Sequence, residues 1–261
     1  MEWDVIALLS GVAFIAGFID SIAGGGGLLT LPAFLLTGVN PVVALGTNKL
    51  QSFFGASSAT FVFGRAGHIE WRSALPYAFL SMLAGACGAL LATSIPKAFL
   101  STFIPILLVI VALYFALSPK MGDKNARSRL SPLVFGLTIP PLLGFYDGIF
   151  GPGTGSFFML AFVTLLGYGI TKATGHTKLL NLGSNIGALS VFLYNGTFIL
   201  SVGIIMGACA FIGAQLGSRA AMRFGSQLIR PLLVIVCICM AIRLLMDSEN
   251  PIRQFFITFV S

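Results

Sequence analysis

Apolar runs of membrane-spanning length alternate with short polar breaks along this chain, and two of the breaks interrupt an apolar run rather than separate two runs. Val5 to Ala23 is apolar throughout and close to the roughly 20 residues a helix needs to cross a bilayer. It ends in Gly24, Gly25, Gly26 and Gly27, and a shorter apolar run, Leu28 to Leu36, follows before a turn at Thr37 to Pro41. Val42 to Phe63 predicts a long helix whose first half carries Thr47, Asn48, Lys49, Gln51 and Ser52. Ala74 to Thr93, rich in Gly and Ala, and Leu100 to Leu117 predict two more helices. The layout then recurs. Pro132 to Phe150 leads into Gly151-Pro152-Gly153-Thr154-Gly155, with Phe157 to Leu166 as the short partner. Lys172 to Tyr194 is the long polar-headed helix, Phe198 to Leu216 the small-residue helix, and Pro231 to Met246 the last span. Ser218 to Arg230 reads as a basic connection.

Glycine costs about 1 kcal/mol relative to alanine inside a helix, so four in a row predict a break. A helix that breaks inside hydrocarbon leaves backbone groups that protein or a water-filled cavity must cover, and transporters build substrate sites at such breaks. Gly17-Phe18-Ile19-Asp20 matches Gly144-Phe145-Tyr146-Asp147, and Gly46-Thr47-Asn48-Lys49-Leu50 matches Gly175-His176-Thr177-Lys178-Leu179, at a nearly constant offset. The expected architecture is therefore an all-α polytopic membrane protein of two repeats, each a glycine-broken segment plus about three spanning helices. The expected units are residues 1–117, a basic cytoplasmic linker 118–131, residues 132–246 and a tail 247–261.

Loop charge favours inverted over parallel repeats. If each broken segment dips in and returns, Arg65, Arg72, the linker cations, Arg219, Arg223 and Arg230 share one side, a positive-inside pattern. Both termini then face away from the cytoplasm. Composition agrees with a membrane protein, with 57% hydrophobic and 9% charged residues against about 25% charged in ordinary globular chains. No basic stretch precedes the first apolar run, which reads as a retained segment rather than a signal peptide. The net charge of +7 fits basic loops and is no sign of nucleic-acid binding. Cys87, Cys209, Cys237 and Cys239 lie in apolar runs without the paired spacing of metal or redox motifs. No metal and no cofactor is expected.

Lys49 and Lys178 occupy matched positions one to two turns into apolar helices. Charge at such a depth is costly and marks a functional or paired group, unless the long side chain snorkels to an interface. Lys178, Asn181 and Asn185 share one helix face, as do the pairs Thr47 with Gln51 and Asn48 with Ser52. Such faces serve equally as a binding surface or as interhelical hydrogen-bond contacts. Asp20 and Asp147 end the first halves of the broken helices, where they can relay protons, pair with the lysines or hold the glycine turns. The turns Gly24 to Gly27 and Gly151, Gly153, Thr154 and Gly155 lead into new helices whose N-terminal amides attract anions. His176 either titrates near neutral pH or is a hydrogen-bond partner. No nucleotide-binding loop is present.

The segments Gly17 to Gly27, Ala44 to Ser52 and Ala173 to Lys178 resemble the TauE/SafE family, also called the sulfite exporter family, and within it a YfcA-like branch. The resemblance extends over both repeats. It departs from the common pattern at Pro152, which interrupts a glycine run, and at His176-Thr177-Lys178. It implies a non-enzymatic inner-membrane transporter of small sulfur-containing anions such as sulfite or organosulfonates. An uncoupled anion channel is the alternative, and an intramembrane enzyme lacks any nucleophile and base cluster. The expected partners are a small anionic substrate and the lipid bilayer, with a homodimer left open.

Overall fold

A computed structural model describes residues 3–94 and 127–224. It is helical throughout these residues: α1 Trp3–Ala23, α2 Gly27–Leu36, α3 Pro41–Arg65, α4 Trp71–Ser94, α5 Pro132–Ile149, α6 Thr154–Leu165, α7 Ile170–Tyr194 and α8 Leu200–Phe224. Asn40 caps α3 by accepting from the Val42 amide at 3.1 Å, with Pro41 in the first turn where its missing N–H costs nothing. Ser131 and Pro132 start α5 in the same way. The expected spans Leu100 to Leu117 and Pro231 to Met246, most of the linker, the tail, Cys237 and Cys239 lie outside the described residues.

Two expectations need correction. The stretch from Ser218 onward is not a loop at its start, because α8 runs on to Phe224. Gly217, Ser218 and Ala221 continue its buried stripe while Arg219 and Arg223, four residues apart, stay on the exposed side. The second short helix begins at Thr154 rather than Phe157, immediately after Gly153 takes a left-handed conformation.

Contacts between helices fix their directions. Phe14 meets Gly213 and Phe18 meets Gly217, so α1 runs parallel to α8; Leu50 meets Gly203 and Phe54 meets Gly207, so α3 does too. Tyr77 meets Gly136 and Ser81 meets Gly144, so α4 runs parallel to α5; Ala78 meets Gly183 and Met82 meets Gly187, so α4 also runs parallel to α7. Phe192 packs on Gly46 and Phe63 on Gly175, which sets α3 and α7 antiparallel. Thus α1, α3 and α8 point one way, and α4, α5 and α7 the other.

The short helices turn back. Gly26 lies against Ala16 and Asp20, and Leu28, Leu31 and Phe34 share a core with Leu9 and Ala13. The α2 helix therefore returns along α1. The end of α6 meets the residues before α5, where the Arg129 and Leu130 amides donate to the Leu165 carbonyl at 2.8 and 3.1 Å.

One apolar core, around Leu31, Phe34, Leu45 and Phe192, fills the end where α1 and α3 begin. The other, around Phe63, Phe135, Phe162 and Ile170, fills the opposite end. A buried polar layer lies between them. The outer surface is apolar, with Leu75, Phe79, Leu90, Leu137, Leu142 and Ile212 exposed. Among the described residues four helices, α1, α4, α5 and α8, are long and apolar enough to cross a membrane. The 25-residue helices α3 and α7, each about 37 Å long at 1.5 Å per residue, are more polar and carry the central layer. At the second end lie Arg65, Arg72, Arg127, Arg129, Lys172, Arg219 and Arg223, and among the described residues no cation lies at the first.

Backbone contact through glycine makes a testable contrast. A Cβ on Gly187 would run into the Met82 carbonyl, whereas a Cβ on Gly11 meets nothing within 4 Å. Gly187→Ala is expected to destabilise by about 1–3 kcal/mol through overpacking. Gly11→Ala is expected to be neutral or to stabilise by up to about 1 kcal/mol. Thermal unfolding of the two purified variants checks the difference.

Candidate functional site

The first break is set by a single residue. Gly24 takes φ +71°, which an L side chain rarely adopts, and its Cα side faces the backbone of Gly155 with no room for a Cβ. Gly25, by contrast, meets only the flexible end of Leu28. The amides of Gly25 and Gly26 both donate to Asp20 Oδ1 at 3.0 Å. Asp20 thus satisfies the donors that the break exposes, and those two amides are not free to bind a substrate.

The second break uses different parts. Gly151 and Gly153 take φ +85° and +81°. Thr154 Oγ1 donates to the Gly151 carbonyl at 2.7 Å, and the Tyr146 hydroxyl donates to the Pro152 carbonyl at 2.6 Å. The two breaks touch: Ser156 Oγ donates to the Ala23 carbonyl at 2.7 Å and abuts the Gly24 carbonyl, and Gly27 packs on Pro152.

Each aspartate pairs with the lysine of the other half. Lys49 Nζ is 3.0 Å from Asp147 Oδ1, with side chains 2% and 3% exposed. Lys178 Nζ is 3.0 Å from Asp20 Oδ2 and also donates to the Asp20 main-chain carbonyl. Ser184 Oγ donates to Asp147 Oδ2 at 2.6 Å. Neither lysine snorkels, since both are among the most deeply buried side chains. The four charges sum to zero.

A cavity of about 20 Å³ opens where the breaks meet, room for one or two waters. Asp20, Gly27, Asn48, Lys49, Ser52, Asp147, Gly151, Gly153, Thr154, Gly155, Asn181 and Asn185 line it. The N-terminus of α6 opens on it, and an α-helix leaves its first amides without intrahelical partners. Thr30 Oγ1 donates to Asn48 Oδ1 at 2.5 Å and steadies that side chain. Asn181 Oδ1 and Asn185 Oδ1 are buried without a protein partner.

The remaining expected site residues lie elsewhere. Lys178 sits behind Gly155, outside the cavity wall, as do Gly24, Gly25 and Gly26. Thr47 Oγ1 accepts from the Ile199 amide at 2.9 Å and so holds the start of α8. Gln51 is buried beside the cavity without lining it. His176 belongs to the basic end. Its Nδ1 lies 2.9 Å from the Lys172 carbonyl, its Nε2 accepts from the Glu70 amide at 3.3 Å, and its ring packs on Tyr168. There Lys172 Nζ is 2.7 Å from Glu70 Oε1, and that bond holds the Glu70 carboxyl below the usual carboxylate range. Residues that the sequence reading passed over are Ser184, which contacts Asp147, and Thr30, Tyr146 and Ser156, which brace the breaks.

Residues 9–244 match the family described as Sulfite exporter TauE/SafE. A probable membrane transporter protein of Sinorhizobium, ORF9, is 55% identical over 97% of this chain and 97% of its own length. One from Haemophilus influenzae is 46% identical over 94% of this chain and 96% of its own. The probable membrane transporter protein YfcA of Escherichia coli is 45% identical over 94% and 91%. The chain belongs to the TauE/SafE family. Both glycine breaks, both ion pairs and the whole cavity of this TauE/SafE protein fall within the matched residues. The relatives are named membrane transporters, which agrees with the apolar exterior and the four span-length helices.

The ion pairs give a stability test. Lys178→Gln leaves Asp20, whose side chain is 24% exposed, without its counterion and is expected to cost about 1–3 kcal/mol. Adding Asp20→Asn removes the stranded charge while an amide oxygen still accepts from Gly25 and Gly26, so part of the loss should return. Thermal unfolding in detergent measures both. A single variant as stable as the parent would show that the pair contributes nothing.

Proposed function

We propose that this protein is a secondary transporter, a permease, that carries a small anion, chiefly a sulfur-containing one such as sulfite or an organosulfonate, across the inner membrane. The observation that carries this reading is the cavity at the meeting of two broken helices, walled by the buried Lys49 and the N-terminus of α6. A helix N-terminus and a buried cation are the two groups that best replace the hydration of an anion. The family description supplies the sulfur chemistry, and the relatives' names supply membrane transport. The anion is placed in that cavity, beside Lys49 and the first turn of α6.

The inverted-repeat reading draws support from helix direction. The helices α1, α3 and α4 run opposite to their counterparts α5, α7 and α8, as a two-fold axis in the membrane plane requires. The cationic end is assigned to the cytoplasm. The helix α1 then begins on the far side, and its break dips in and returns.

Purified protein in liposomes should take up at least one of sulfite, thiosulfate, sulfoacetate and isethionate, and accumulate it under an ion gradient. Equilibration without accumulation would identify a channel instead. Lys49→Gln placed in an Asp147→Asn background, where no carboxylate is left stranded, should weaken anion binding by about 2 kcal/mol, or roughly 30-fold. No movement of any of the four anions would overturn the reading.

The orientation has its own check. In a background free of other cysteines, an impermeant maleimide applied to intact cells should label Asn195→Cys and spare Ala66→Cys. The reverse pattern would invert the assignment.

A further inference from the structure

We propose that Asp147 is the proton carrier of this transporter: an anion bound in the cavity replaces the Asp147 carboxylate beside Lys49, and Asp147 takes up one proton for each monoanion carried. This rests on the anion-transport reading above.

The two ion pairs are not equivalent. Both members of the Lys49–Asp147 pair line the cavity; of the other pair Asp20 lines it, its side chain 24% exposed, while Lys178 is sealed behind Gly155. Asp20 is committed three times over, to the Gly25 amide, the Gly26 amide and Lys178. Among the described residues Asp147 is held by Lys49 and the Ser184 hydroxyl. The lysine that substrate can reach is thus the one whose carboxylate partner is held by fewer donors.

Ser184 makes both protonation states of Asp147 tolerable. Its Oγ lies 2.6 Å from Asp147 Oδ2 and 3.1 Å from the Asn181 carbonyl. With Asp147 ionised, the hydroxyl donates to the carboxylate. With Asp147 protonated, the hydroxyl turns to donate to the Asn181 carbonyl and accepts from the acid. No heavy atom has to move, because a hydroxyl is both donor and acceptor.

Charge then couples the two fluxes. The empty site holds Lys49, Lys178, Asp20 and Asp147 and is neutral. With a monoanion bound and Asp147 protonated it is neutral again. An anion without the proton, or the proton without an anion, leaves one unpaired charge in a buried layer, which is strongly disfavoured. Only the two neutral forms move freely between the membrane faces. The proton bonds to a carboxylate oxygen on loading and leaves with the anion on release, when the Lys49–Asp147 pair re-forms.

The charged groups around Asp147 among the described residues are Lys49 from α3, Asp20 from α1 across that lysine, and Lys178 from α7. Tyr146 is its titratable neighbour on α5. The helix α4 brings Gly85, Gly88 and Ala89 against Gly148, and the start of α6 brings no ionisable side chain.

The experiment uses the whole protein in liposomes that contain a pH-sensitive dye. The probe is isethionate, a monoanion at every assay pH, or else the fastest-moving of sulfite, thiosulfate and sulfoacetate. Wild-type uptake should acidify the lumen. At equilibrium a gradient of one pH unit should concentrate a monoanion about tenfold. Asp147→Asn, which mimics the protonated acid, should still exchange labelled for unlabelled anion but lose both the acidification and the accumulation. Acidification by Asp147→Asn at the wild-type ratio would overturn the proposal, as would wild-type uptake without acidification. Should that variant not fold, the wild type alone decides. Monoanion uptake with one proton is electroneutral, so an imposed potassium diffusion potential should leave its rate unchanged. Acceleration by an inside-positive potential would overturn the proposal. If no probe moves in the wild type, it is the transport reading itself that has failed.

Discussion

Charge buried away from water has to be cancelled locally, and the centre of this protein is arranged around that requirement. Two lysines and two aspartates lie in one polar layer between apolar cores, and each pair joins the first half of the chain to the second. Removing one member leaves an uncompensated ion rather than a missing contact, so the layer tolerates paired changes better than single ones. The glycine breaks exist beside it for a related reason. A helix that stops inside the bundle exposes amides, and Asp20 absorbs two of them while also serving as counterion to Lys178.

The same economy of groups explains why the two halves have diverged. At the first break a carboxylate satisfies the turn directly. At the second, Pro152 removes one donor and the hydroxyls of Thr154 and Tyr146 tie the carbonyls down. Asp147 is thereby released from holding its turn and faces the cavity with Lys49. Two positions that look alike in the chain both reach the cavity, but only Asp20 also holds its turn.

Much of this was legible in the sequence, and the misses have physical causes. The eight described helices fall close to the apolar runs, because the breaks are made by glycine and proline, whose backbone preferences are local. The family resemblance rested on the same motifs. The lysines at matched positions were visible as unusual, but their partners lie more than ninety residues away, and distance along the chain hides a tertiary pair. His176 was grouped with Lys178 because they are neighbours in sequence. Two residues along a helix is more than half a turn, so the ring points to Glu70 and Tyr168 and the ammonium to Asp20. Of the four glycines Gly24 to Gly27, only Gly24 takes the left-handed conformation. Nothing in four identical letters distinguishes them.

The pairing of α1 with α8 bears on how the chain is made. The helix α1 is synthesised well before α8, yet its face around Gly17 ends up on Ala210, Gly213 and Gly217 of that helix. Among the described residues, the face of α1 around Gly17 gains its partner when that helix is synthesised, and α4 likewise packs on α5 and α7. Contacts this distant in sequence make assembly slow, since the loop between partners must close before any packing is gained. A chain cut between α4 and α5 would yield two fragments that insert separately but mature only by finding each other.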